Sequence, residues 1–136
     1  MCGRFVLITD LSVVVQSFGA ADDSFPFLPD RNIHPGRLIP AVIRTPRGNR
    51  LASFLWGLVP FWAKDPSIGA RLINARAETI AQKPAFQNAV RKQRCLIPAD
   101  GFYEWKKDGA SKKPFQFGLK SKEPFVFAGL YERWAA

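Results

Sequence analysis

Gly101-Phe102-Tyr103-Glu104-Trp105-Lys106-Lys107-Asp108-Gly109, followed by Ser111-Lys112-Lys113-Pro114-Phe115-Gln116-Phe117-Gly118-Leu119, reads as two strands meeting at a turn. Aromatic residues favour the pleated backbone, and Asp-Gly marks a tight hairpin because glycine supplies the positive φ it requires. The pattern predicts strands over about 101–107 and 114–119, with 95–97 as the alternative place for the first, and a last strand over 125–131. Upstream, Phe86, Ala89 and Val90 suit one face of a short helix with Pro84 at its first turn. Residues 38–43 and 50–56 read as strands joined at Pro46-Arg47-Gly48-Asn49, and residues 5–8 as a short strand. Leu11, Val14, Val15 and Phe18 recur at helical spacing, which predicts a helix over 10–18 stopped by Gly19. Residues 22–37 and 57–70, rich in proline and glycine, read as loops. Strands and helices interspersed without a βαβ rhythm point to an α+β fold with a largely antiparallel sheet.

The chain has 136 residues, 47% hydrophobic and 23% charged, which is ordinary globular usage and excludes disorder or coiled coil as a description of the whole. That length fits one domain able to bury roughly two-thirds of its unfolded surface. Two cysteines without a CxxC or Cys/His cluster make neither a disulfide framework nor a zinc site. No metal and no cofactor is expected. The apolar run 5–8 is too short for a signal peptide, and nothing approaches a membrane span, so no membrane partner and a cytoplasmic location are expected. The last strand, 124–131, is apolar on both faces and needs cover. If none is supplied, it invites pairing with another copy of the chain.

Net charge is +9 and unevenly spread. Residues 1–30 carry −3, and residues 31–50 hold five arginines and no acid. Further basic runs lie at Arg91, Lys92, Arg94 and at Lys106, Lys107, Lys112, Lys113. Such a field attracts polyanions, nucleic acid foremost, although a solvated basic surface would look the same. An excess of arginine over lysine favours phosphate, which the guanidinium fork matches.

Five stretches carry candidate chemistry. Cys2 directly follows Met1, and removal of that methionine would leave a 1,2-aminothiol, with an amine of pKa about 8 beside a thiol of about 8.5. An aldehyde is taken by such an amine as a Schiff base and closed by the sulfur into a thiazolidine. The plainer reading makes Cys2 a small buried hydrophobe. In residues 72–79, strand parity would put Asn74 and Arg76 on one face as an anion or sugar-phosphate clamp, or leave a structural amide beside a surface arginine. Glu104 alternates with Phe102, and a carboxylate among aromatic rings gains proton affinity suited to acid/base work, or pairs with one of the many cations. In Trp56-Gly57-Leu58-Val59-Pro60-Phe61-Trp62, aromatic rings on a Gly/Pro loop offer stacking platforms for unpaired bases, or anchor the loop. Arg31-Asn32-Ile33-His34-Pro35-Gly36 contains the single histidine, read as a surface residue.

Met1-Cys2-Gly3-Arg4-Phe5, Asn32-Ile33-His34-Pro35-Gly36, the residues 56–62, Ile73-Asn74-Ala75-Arg76-Ala77-Glu78-Thr79, and Arg94-Cys95-Leu96-Ile97-Pro98-Ala99-Asp100-Gly101-Phe102-Tyr103-Glu104-Trp105 together resemble the SOS response-associated peptidase (SRAP) family. The blocks stand in the family's order and span nearly the whole chain. The resemblance implies a barrel-like, strongly curved antiparallel core with short flanking helices. It also implies a DNA-damage protein that binds single-stranded DNA at abasic sites and crosslinks to them covalently, with lyase and autopeptidase activities attached to the family. It would make Cys2 the nucleophile, Asn74 the group orienting amine and opened sugar, and Glu104 the proton carrier. Arg4, Asn32, Trp62 and Arg76 would hold the DNA. The alternatives are a non-covalent single-strand binder and an N-terminal-nucleophile amidase. His34 stands where the family usually has alanine. Family members continue past Trp134 with an Ile-His-x-Arg-Met-Pro type block, so residues 1–136 are expected to be one SRAP domain without its C-terminal portion.

Overall fold

Asp100 sits alone between two strands that belong to different sheets, and this corner organises the fold. The computed structural model describes residues 2–21 and 25–136. In chain order its elements are β1 (Phe5–Leu7), α1 (Leu11–Phe18), β2 (Asp30–Ile33), β3 (Leu38–Thr45), β4 (Gly48–Leu55), a 3-10 helix (Pro66–Arg71), α2 (Gln87–Lys92), β5 (Arg94–Ala99), β6 (Gly101–Asp108), β7 (Ser111–Phe117) and β8 (Phe125–Leu130). One sheet has the order β2-β1-β6-β7 and the other β4-β3-β5-β8, with antiparallel pairing between all neighbouring strands.

The α+β, largely antiparallel expectation holds, with the curved core realised as two sheets that do not close into a barrel. Phe5, Leu7 and Ile33 of the first sheet meet Ile39 and Ala99 of the second, so the main core lies between the sheets. β3 is buried continuously from Ile39 to Ile43. Alternation sends Ile39, Ala41 and Ile43 to one side and Val42 to the other, where Val14 of α1 and Leu51 complete a second cluster. That helix begins at Leu11 and not at residue 10, because Asp10 stays extended and caps it. Asp10 accepts from the Ser12 amide at 2.8 Å, and Gly19 closes the far end at φ 53° in the left-handed region.

Several boundaries differ from expectation for identifiable reasons. The 22–37 loop contains β2, which hides because Ile33 is its one buried residue; residues 22–24 lie outside the described ones. Both candidate places for the strand before the hairpin are strands, since the chain turns at Asp100 and continues. β7 starts at Ser111, because Asp108 pairs directly with it and leaves a two-residue loop with Gly109 at φ 61°. α2 begins at Gln87, three residues beyond Pro84. Residues 72–79 are not a strand, so the parity argument for Asn74 and Arg76 does not apply. The apolar strand near residue 125 is paired along one edge, with β5, through Arg94↔Leu130 to Ala99↔Phe125. Among the described residues no helix is long and apolar enough to cross a membrane.

Candidate functional site

Cys2 lies just before β1, and β1 is held centrally by β2 and β6, so the fold fixes the approach of the N-terminal segment. The Arg4 carbonyl accepts from the Tyr103 amide at 3.0 Å and from the Cys2 thiol at 3.1 Å, which continues the ladder one step beyond the strand. Cys2 is half-buried against the inter-sheet core and lines a cavity of about 370 Å³ together with Phe5, Trp56, Asn74, Cys95 and Phe127. Both sequence readings of Cys2 therefore apply to one side chain: it packs, and it faces open space.

Asn74 reaches this cysteine from 72 residues away. Its amide nitrogen donates to the Cys2 carbonyl at 2.6 Å. Two contacts hold the segment that delivers it: Leu58 N donates to Leu72 O at 3.0 Å, and the Trp56 indole donates to Ile73 O at 2.9 Å. Trp56 also meets Phe5 edge-on at 5.4 Å. Of the two tryptophans in 56–62, Trp56 thus anchors the loop, whereas Trp62 stands 49% exposed.

Glu104 makes itself felt through charge. Burial pushes the Cys2 thiol above its ordinary range, the Arg4 backbone partly offsets this, and the negative charge of Glu104 adds to the rise. Alkylation of Cys2 by iodoacetamide should therefore have its midpoint above that of an ordinary thiol, and Glu104→Gln should move it to lower pH by removing the charge that disfavours thiolate. Cys95, buried with its thiol pushed up to about 11, should stay unlabelled near neutral pH, so one added mass reports Cys2 alone. An unmoved midpoint would remove Glu104 from the electrostatics of this thiol.

Arg4 donates to the Asn32 side chain at 2.8 Å, which joins two of the expected DNA-holding residues on adjacent elements. Arg76 is exposed two residues past Asn74. Neither Arg76 nor Trp62 has a hydrogen bond to the Cys2 group among the described residues. His34 Nδ1 donates locally to Pro35 O at 2.8 Å. Among the described residues no set of three His, Cys, Asp or Glu side chains is placed to hold a metal ion.

Sequence reasoning missed Asp100. Its carboxylate accepts from Ile8 N at 2.6 Å, Thr9 N at 2.8 Å and Thr9 Oγ1 at 2.5 Å, while its own amide donates to Val6 O at 2.7 Å. The residue thereby fastens the end of β1 to the sheet corner. Tyr103 was missed as well: its hydroxyl donates to Arg31 O at 3.1 Å across β1. An Asp-Gly pair inside an aromatic run was the one local signal for the corner.

Fold and site together define a class: a two-sheet α+β protein whose cysteine near the N-terminus is bonded by the Asn74 amide and feels the Glu104 charge, beside an arginine–asparagine pair. The profile of the family described as SOS response associated peptidase (SRAP) matches residues 1–136, and the chain belongs to that family. It is 48% identical over 139 residues to the abasic site processing protein YoaM of Bacillus subtilis, covering 99% of this chain and 61% of that one. It is 45% identical over 138 residues to the abasic site processing protein YoqW of the same organism, covering 98% and 61%. A crystal structure of a protein from Bacteroides thetaiotaomicron matches it with a TM-score of 0.86 at 27% identity, over 98% of this chain and 61% of that chain. The chain thus spans about three-fifths of the length of these relatives.

Proposed function

We propose that this protein processes abasic sites in single-stranded DNA by forming a covalent thiazolidine between Cys2 and the ring-opened sugar, with residues 1–136 acting as one domain. The reading requires Cys2 to become the N-terminal residue through loss of Met1. The observation that carries it is the 2.6 Å hydrogen bond from Asn74 to the Cys2 carbonyl, which fixes the backbone of the reacting residue while Glu104 acts on its thiol.

The steps follow from the chemistry of the two nucleophiles. The α-amine, with an ordinary pKa of about 8, attacks first. Its lone pair adds to the C1′ aldehyde, and loss of water leaves a Schiff base. The sulfur then adds to the imine carbon as its proton passes to the nitrogen, closing a five-membered ring with one water released overall. Glu104 moves protons in the ring opening, dehydration and closure. Asn74 orients the cysteine, and Arg4, Asn32, Trp62 and Arg76 hold phosphates and a neighbouring base.

Protein lacking Met1, incubated with a single-stranded oligonucleotide bearing one abasic site, should give an adduct that survives denaturing gel electrophoresis. Cys2→Ala should abolish it. Cys2→Ser keeps the amine without the ring-closing sulfur and should divert the Schiff base toward β-elimination and strand cleavage. No adduct from the unaltered protein, or an adduct undiminished in Cys2→Ala, would sink the proposal.

A further inference from the structure

The hairpin of β6 and β7 carries a charge pattern that the fold does not need. Phe102 stacks on Phe117 at 5.3 Å and meets Phe125 and Phe127 edge-on, so Phe102 and its cross-strand partner face the second sheet. Alternation then turns Tyr103, Trp105 and Lys107 to the opposite, outward face. The register sets Pro114 beside Trp105 and Lys112 beside Lys107. Like charges directly opposed on a sheet are destabilising. On the inward face Lys113 is relieved by Asp108 at 2.6 Å, whereas among the described residues no carboxylate pairs with Lys107 or Lys112. Beside that lysine pair the Trp105 indole stands 45% exposed.

Glu104 shares the inward face with Phe102, and the outward face reaches the candidate site through Arg4 and Asn32. Tyr103, its ring 6.3 Å from that of Trp105, donates its amide to Arg4 O and its hydroxyl to Arg31 O. Arg4 and Asn32 flank the buried Phe5 and Ile33, so alternation puts them on the same outward face. Asn32, Arg4, Tyr103, Trp105 and the Lys107/Lys112 pair therefore form one line across the sheet. A partner matching it needs negative charge at intervals and a flat face between charges.

We propose that this face carries single-stranded DNA away from the Cys2 site, with Trp105 stacking on a base and Lys107 and Lys112 each holding a phosphate. The proposal rests on the reading of single-stranded DNA as substrate, and its test separates the two. Fluorescence anisotropy with a lesion-free single-stranded oligonucleotide, titrated at several salt concentrations, compares the unaltered protein with Lys107→Gln/Lys112→Gln and with Trp105→Ala. All three positions are exposed, so the fold should survive, with circular dichroism as the check. The double lysine variant should lower the slope of log affinity against log salt by about 1.4, from roughly 0.7 per phosphate contact on single strands. Trp105→Ala should weaken binding about tenfold. If the unaltered protein binds DNA and neither variant changes slope or affinity, the proposal is overturned and the substrate reading stands. If the unaltered protein binds no single-stranded DNA, both fall. If the lysine variant loses affinity for polyglutamate but not for DNA, the face belongs to an acidic protein and the proposal is overturned.

Discussion

Asp100→Ala should cost about 3 kcal/mol of folding stability, because one carboxylate supplies three hydrogen bonds and its loss leaves two backbone amides at residues 8 and 9 without their acceptor. For a domain of this size that corresponds to a fall in Tm of about 10 °C. The damage should be local before it is global. The end of β1 is tied to the corner by this residue, and β1 carries the segment bearing Arg4 and Cys2. Hydrogen exchange at residues 5–9 should therefore accelerate more than at β3, which is buried continuously within the other sheet. Asp100→Asn, keeping one acceptor oxygen, should recover part of the loss. Urea denaturation decides the matter: a cost under about 1 kcal/mol would mean that the turn at residues 8 and 9 finds other acceptors.

Gly57→Ala should be comparably damaging for a different reason. Gly57 has φ 128°, a region closed to side chains, and an added Cβ would lie 2.7 Å from Gly69 O and 3.1 Å from Gly69 C. Backbone atoms cannot rotate aside as a side chain would. Strain and overpacking together should cost about 3 kcal/mol. The functional effect should exceed the thermodynamic one, because Trp56 and Leu58 on either side of Gly57 are the residues that grip Ile73 and Leu72. Displacing that grip moves Asn74 off the Cys2 carbonyl. At a temperature where the variant is still folded by circular dichroism, adduct formation should fall by about tenfold or more, given the steep dependence of such reactions on placement. A folded variant with unimpaired adduct formation would show that Asn74 does not depend on this loop.

How much of this was readable from the chain depends on whether the signal is local. α1 was legible but for its first residue: four apolar residues at helical spacing and a glycine stop all speak within the nine residues 11–19. The β3–β4 and β6–β7 hairpins were legible because turn chemistry and strand composition agree. β2 was not, since Asp30-Arg31-Asn32-Ile33 owes its strand character to β1 and only Ile33 to burial. Among site residues, the chemical type of Cys2, Asn74 and Glu104 was plain. The supposed strand geometry of Asn74 was wrong, because 72–79 takes its shape from contacts with Leu58 and Trp56 and from no periodicity of its own.

The sequence by itself determined the residue types and their blocks, the basic surface, the α+β class and, through the combination of motifs, the family. These reside in composition and short-range pattern, which tertiary contacts do not alter. Only the folded chain decided that Asn74 meets Cys2 across 72 residues, that Asp100 is the corner between sheets, that Trp56 anchors while Trp62 stays exposed, and that Tyr103 bonds to both Arg4 and Arg31. Each of these is a contact between groups distant in the chain. Such a contact is set by which strand lies beside which, and no window of local sequence encodes it.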